Sequence, residues 1–346
     1  MGELRLVEKN VSDLVSSSMS VARKLGNFTW FRYLLLRLGI GGIARTIKAE
    51  TGRRGLKLAV GWNHVTVSSP RAEITAHGDQ LGKVALQLHG WENFLNLIEP
   101  DEDGIVRAST DDGLRRYRAW QGDTLLWHRA WPECQDTVSG YIARGAPGPG
   151  DVVFDLGAYV GEVTVALANL VGPTGQVVAF EPNPQSREVL QKNVTELGLT
   201  WVKILPYVIW KESARLDLKG ANAISGSVVE SYQEIRAEGN IVMAEAISMS
   251  EACSLAGVEP DFVKMDVEGA EVEILQGAKE WIRDRSIRFA VASYHERDIG
   301  RTAEWMEAFF RDIGYEVETG YSQHLTTWAW PPPPPRSFET PVIAEP

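Results

Sequence analysis

Asp155, Gly157 and Gly161 stand in the run Val152-Val-Phe-Asp155-Leu-Gly157-Ala158-Tyr-Val-Gly161, where a buried strand is expected to end in a carboxylate and pass through two glycines into a helix. Glycine belongs where backbone must approach a ligand without a Cβ in the way, and the helix N-terminus beside it offers free N–H groups. The spacing is G-x-x-x-G, not the G-x-G-x-x-G of a dinucleotide fingerprint, and packing alone often puts glycine at such a turn. Glu181 strengthens the signal: it follows the apolar run Val177-Val-Ala-Phe180, twenty residues after Gly161. A carboxylate at the end of a second strand can accept both ribose hydroxyls of an adenosine-containing ligand.

A third carboxylate-bearing run is Asp261-Phe-Val-Lys264-Met-Asp266-Val-Glu268-Gly269-Ala-Glu271-Val-Glu273-Ile-Leu275. Here the chain resembles the FkbM family of S-adenosylmethionine-dependent methyltransferases, whose hallmark is a K-x-D-V-E-G-A-E run after the fourth strand. The earlier D-x-G-A-x-x-G and A-F-E-P-N-P runs fit that family's first two motifs, in order. The resemblance spans roughly residues 130–330. It implies an α/β fold with a Rossmann-like seven-stranded class I methyltransferase sheet, S-adenosylmethionine as cofactor, and methyl transfer to an acceptor, usually a hydroxyl oxygen of a glycan or secondary metabolite. Position by position, it implies that Asp155, Gly157, Ala158 and Gly161 face the cofactor's methionine part, that Glu181 holds its ribose and that Asp266 lies near the donor methyl. Tyr159 departs from the pattern, since the family usually has asparagine there.

His295, in Ala292-Ser-Tyr-His295-Glu296, directly follows a fifth expected strand. Ligand crevices of such sheets lie beyond the strand C-termini, so Asp266 and His295 are expected at one spot. A neutral imidazole can take a hydroxyl proton near pH 7, which makes His295 the general-base candidate, with Asp266 and Glu268 completing the catalytic set. Carboxylates at a strand-to-helix junction often only cap the helix. That is the competing reading for Asp266 and Glu268, while Glu271 and Glu273 are read as a solvated face or local salt bridge. His64, His77, His89, His128 and His324 are read as structural or surface residues. Asp266, Glu268 and Glu296 could together hold a divalent metal, but K-x-D-V-E-G is not a ligand spacing of known geometry, and no metal is expected.

These residues need elements to hold them. From Gly150 the pattern alternates strand and helix, which implies a parallel sheet covered by helices: Asp151–Phe154, Val160–Val171, Gln176–Phe180, and Pro184–Leu197 with Asn183 as N-cap and Gly198 as stop. Strands follow at Val202–Tyr207, Phe262–Met265 and Arg288–Ser293. An antiparallel pair, Tyr315–Thr319 and Leu325–Trp328, closes the sheet at seven. Upstream, Val65–Val67, Ala72–Ala76 and Lys83–Leu88 alternate like short strands. Four regions are expected: a basic amphipathic helical segment (1–55), a small β-rich region (56–132), the domain that by resemblance is FkbM methyltransferase-like (133–330) and a proline-rich tail (331–346). Acceptor pockets come from variable loops, expected in residues 1–140 and 208–245.

Composition sets the outer limits. The chain has 346 residues, 44% hydrophobic and 23% charged, with a formal charge of −11; that is a soluble globular composition and a poor binder of nucleic acid. Residues 1–57 hold 11 Lys/Arg against 4 Asp/Glu, a net of +7, and carry Trp30, Phe31, Leu34 and Leu38 among arginines. That segment is expected to dock on the protein's own body or, less often for such a pattern, to touch an anionic membrane peripherally. Two cysteines without a C-x-x-C pair point to a reducing compartment, and the N-terminus lacks signal-peptide features, so a cytoplasmic protein is expected. Competing readings are a catalytically silent methyltransferase-like module and a nicotinamide-dependent dehydrogenase, the latter opposed by the missing third glycine.

Overall fold

The structure, a computed structural model, describes residues 42–62, 64–77, 88, 91–109, 114–118, 124–128, 137–219, 227–228, 242–297, 300–321 and 324–332. Trp30, Phe31, Leu34, Leu38, His89, residues 83–87 and 333–346 lie outside them, as do the expectations placed there. The chain divides into two compact units, Met1–Cys134 and Gln135–Pro346.

In the first unit, helix α1 (Gly42–Arg53) precedes strands β1 (Lys57–Val60), β2 (His64–Ser69) and β3 (Ala72–His77). After α2 (Trp91–Asn96) come β4 (Val106–Ser109), β5 (Arg115–Arg118) and β6 (Leu125–His128). The first three strands pair antiparallel, β4 joins β3 in parallel, and β5 pairs with β6. The alternation read from sequence is the alternation of burial: Val65, Val67, Ala72, Ile74 and Ala76 are buried with Ile47 and Trp91. Leu88, expected in a strand, is helical.

The second unit opens with α3 (Thr137–Ile142) and continues through β7 (Val152–Leu156), α4 (Glu162–Val171), β8 (Gln176–Phe180), α5 (Pro184–Glu196) and β9 (Val202–Leu205). Next are β10 (Val208–Ile209), β11 (Ala214–Lys219), β12 (Ser227–Val228), β13 (Val242–Ile247), α6 (Met249–Ala256) and β14 (Phe262–Met265). The chain ends through α7 (Glu271–Arg283), β15 (Arg288–Ala292), β16 (Glu296–Arg297), β17 (Gly300–Arg301), α8 (Thr302–Asp312), β18 (Glu316–Gly320) and β19 (Thr326–Trp330).

Seven strands form the main sheet in the order β18-β19-β15-β14-β7-β8-β9, and only β19 runs against its neighbours. This is the seven-stranded sheet the alternation implies. Its central strands are buried on both faces, as parallel strands covered by helices must be, and are apolar apart from Asp155 and Lys264. Helix α5 begins where expected: the Asn183 side chain accepts from the N–H groups of Gln185 and Ser186, with Pro184 in the first turn. The chain turns outward from β7 through β8 to β9, then returns to place β14 on the other side of β7. The switch point is therefore between β7 and β14, where a ligand crevice opens beyond the strand C-termini.

One expectation is corrected. Residues 208–245 are not simply acceptor loops: β10, β11, β12 and β13 make a second, four-stranded sheet. The alternation Ala214-Arg-Leu216-Asp-Leu218 against Met243-Ala-Glu-Ala-Ile247 builds it, with β11 and β13 antiparallel.

Candidate active site

The candidate site is built at the carboxyl edge of the main sheet. Gly157 makes the turn out of β7 at φ +78°, and a Cβ there would stand 1.9 Å from the Asp266 carbonyl oxygen. The loops after β7 and β14 thus touch through a position only glycine can fill. Gly161 has a different reason: at φ +96° its absent Cβ would strike Leu190 of α5. Ala158 is buried and its N–H donates to the Phe180 carbonyl, as does that of Gly157. Ala158 therefore offers the crevice neither an exposed side chain nor a free donor.

Asp155 also departs from expectation. Strand β7 continues through it to Leu156, so its carboxylate lies within the sheet and is fully enclosed. Thr164 Oγ1 donates to Oδ2 at 2.6 Å, and Lys264 Nζ faces Oδ1 at 2.9 Å, an ionic pairing. Asp155 and Lys264 are direct register partners on adjacent strands. The same ammonium donates to the carbonyls of Gly157 and Leu156 at 2.7 and 3.3 Å. The lysine of K-x-D is thus the tie between the first and third motifs.

Glu181 stands just beyond β8, 7% exposed. Its Oε2 accepts from the Tyr159 N–H and its Oε1 from the Asn183 N–H, both at 2.8 Å. Burial pushes its carboxyl up to about 7 against the lowering effect of those donors. Each oxygen keeps a second lone pair. Tyr159 reaches Glu181 because its backbone is left-handed, φ +51°. That conformation favours asparagine over tyrosine, which accounts for the residue usual at this position.

Asp266 lies where β14 ends, and its surroundings hold it as an anion. Tyr141 Oη donates to Oδ2 at 2.7 Å, Tyr294 Oη donates to Oδ1 at 3.1 Å, and His324 Nε2 is 3.7 Å from Oδ2. Burial by itself would raise this carboxyl. His324, Lys264 and Tyr141 outweigh it and hold Asp266 well below the usual carboxylate range. Burial and the Asp266 charge push both tyrosines up, so they remain donors.

His295 follows β15 as expected, with Glu268 Oε2 3.8 Å from its Nε2 and Glu271 Oε1 3.4 Å from its Nδ1. Burial opposes a charged ring, but Glu268, Glu271 and Asp266 prevail and raise its pKa. Glu268 sits at φ +56°, the conformation that turns the chain into α7. Asp266, Glu268 and His295 are thus brought together.

Two readings are narrowed. Glu271 and Glu273 are buried, which excludes the solvated face, while Glu271 makes the alternative local ion pair, its Oε1 3.4 Å from His295 Nδ1. Glu271 Oε1 accepts from the N–H groups of Val267 and Gly269, closing the loop ahead of its own helix, and burial raises its carboxyl. His324 is no bystander either. It is buried in the turn between β18 and β19, 3.2 Å from Tyr141 Oη, with its ring against Tyr294. The antiparallel pairing of Ala292 with Thr326 brings that turn to the same edge as His295. Tyr141, from α3, had no local signal at all. For a metal, Glu296 has no described side chain; among the described residues the side chains that cluster are Asp266, Glu271 and His295.

One family model, described as the methyltransferase FkbM domain, matches residues 155–317, from Asp155 to β18. Residues 155–317 are thus similar to a methyltransferase FkbM domain. Two relatives share the region: the 2-O-methyltransferase NoeI of Sinorhizobium fredii, 27% identical over 166 residues, and the hexuronic acid methyltransferase AglP of Haloferax volcanii, 27% identical over 146. These matches take in 44% and 42% of this chain and 66% and 56% of the relatives' lengths. Among solved structures, the methyltransferase FkbM from Methylobacillus flagellatus KT is similar at 15% identity and a TM-score of 0.40, over 56% of this chain and 47% of that one. The matched region thus includes every site residue described above except Tyr141 and His324, which lie on either side of it.

Proposed function

We propose that this protein transfers the methyl group of S-adenosylmethionine to a hydroxyl oxygen of a sugar. The observation that carries the reading is that Glu181, Asp266 and His295, each at the end of a different parallel strand of an FkbM-like domain, share the carboxyl edge beside the switch point. The names of the two relatives, one of which specifies a hexuronic acid, support a glycan acceptor.

The residues fit the cofactor. Glu181, with one lone pair spare on each oxygen, suits two ribose hydroxyls, and the loop from Gly157 to Gly161 borders the crevice; Asp155 acts from beneath by fixing Lys264. S-adenosylmethionine supplies a methyl group on a sulfonium whose positive charge vanishes as the group leaves. The protein must align donor and acceptor and remove one proton. Asp266, an anion fixed by Tyr141 and Tyr294, orients the acceptor hydroxyl. His295 takes its proton, with Glu268 beside it as the alternative acceptor.

Calorimetry with S-adenosylmethionine, followed by methyl transfer to hexuronic acid glycans, tests the reading. The expected result is binding by the wild type, and turnover about a hundredfold lower or more for Asp266→Asn and His295→Ala with cofactor affinity kept. Full turnover by His295→Ala between pH 6 and 9 removes it as the base. Binding without transfer to any hydroxyl acceptor favours the silent module, and preference for a nicotinamide cofactor overturns the class. A peripheral membrane contact through residues 1–57 belongs to the same proposal, since it would bring a lipid-linked acceptor to the crevice.

A further inference from the structure

Beside the hydrogen bonds that fix Asp266 lies a group of buried polar atoms that make no hydrogen bond. Glu271 is fully buried, and while its Oε1 accepts two backbone N–H groups, its Oε2 has no hydrogen bond. Neither ring nitrogen of His295 makes one, although both are enclosed. Asp266, Glu271 and His295 each offer a ligand atom, and these three atoms lie within 4.8 Å of one another. They come from three separate elements: the end of β14, the first turn of α7 and the loop after β15. Their meeting is a product of the fold, not of one acidic stretch.

We propose that Asp266, Glu271 and His295 form a binding site for one divalent cation of the Mn2+ type. Two carboxylates and one imidazole suit a cation between the hard oxygen-seeking ions and the softer nitrogen binders. A bound cation satisfies the empty Glu271 oxygen and an imidazole nitrogen together, and offsets the charge of the fully buried Glu271 carboxylate beside Asp266. Tyr141 and Tyr294 already hold the Asp266 carboxylate in place, as outer partners of metal ligands do. Three protein ligands leave coordination positions for an acceptor's oxygens.

Where the cation binds is independent of the function proposed above; what it does there rests on that reading. With the cation in place His295 is a ligand and Glu268 takes the proton. The acceptor O–H bond breaks toward the Glu268 carboxylate, and the oxygen forms its bond to the methyl carbon as the carbon–sulfur bond breaks. The electron pair of that bond stays on sulfur, and nothing is oxidised or reduced.

The test is titration of the full chain, stripped with a chelator, with Mn2+ alone, followed by the loss of the free ion's six-line electron paramagnetic resonance signal. One Mn2+ per chain is expected, with Glu271→Gln and His295→Ala each weakening it by about tenfold or more while S-adenosylmethionine binding shows the fold intact. Should Glu271→Gln not fold, His295→Ala, whose side chain is nearer the surface, carries the test alone. No stoichiometric binding by the wild type, or equal binding by the folded variants, overturns the site. Unchanged methyl transfer after stripping, with no Mn2+ bound, removes the cation and leaves the methyltransferase standing. Mn2+ binding without cofactor binding supports the site and removes the methyltransferase reading.

Discussion

Glu181 shows how one residue's surroundings set both its use and its cost. Its folded pKa is raised from 4.5 to about 7. Between those values the folded chain keeps a proton that the unfolded chain has lost. The stabilising contribution is therefore fullest below pH 4.5 and is lost as pH rises through 7. Ribose recognition needs the ionised form, so S-adenosylmethionine affinity should rise from pH 6 to pH 8 and then level off. Calorimetry at several pH values checks this, and Glu181→Ala should flatten the profile and cost on the order of 1.5–3 kcal/mol of binding. Lys264 makes a second residue-scale prediction. Lys264→Met strands the Asp155 carboxylate inside the sheet, and chemical denaturation should show a loss of about 3–5 kcal/mol.

At the scale of elements, the site depends on loops that fit one another only in one arrangement. The loops after β7 and β14 meet where Gly157 lacks a Cβ, with the Asp266 carbonyl in the space a methyl would need. Gly157→Ala should therefore lower the melting temperature and depress turnover together, because relief of the clash moves Asp266 itself. Gly161→Ala pushes instead on Leu190 of α5 and should cost stability with a smaller effect on turnover. The β18–β19 turn contributes through register. His324→Ala removes one of the groups holding Asp266 anionic, so turnover should fall while cofactor affinity stays within a few fold.

At the scale of the whole molecule, charge is divided between the ends of the chain. Residues 1–57 carry +7 and the remainder −18. Among the described residues no helix is long and apolar enough to cross a membrane. Each Lys or Arg near an anionic surface contributes roughly 1 kcal/mol, screened beyond about 10 Å at 0.1 M salt. Co-sedimentation with anionic vesicles should decline with salt and be lost on removing residues 1–57. Equal partitioning of both forms, or none, assigns the segment to packing on its own protein.

Local signals determined the parallel strands, the Asn183 cap and the three runs that carry Asp155, Glu181 and Asp266, because two-residue and helical periodicities, capping and turn chemistry act over a few residues. The crevice rule extended that to His295, since strand ends of a parallel sheet share one edge. The same rule, applied to the antiparallel hairpin, would have found His324. Tyr141 was not legible, because nothing in α3 marks a hydroxyl that will meet a carboxylate 125 residues away. Nor was the fate of Asp155 and Glu271 legible. A carboxylate in a motif looks the same whether it faces a ligand, a buried lysine or a histidine. Which of these it meets is decided by strand register and by the side of the helix that packs inward, and those are properties of the assembled sheet alone.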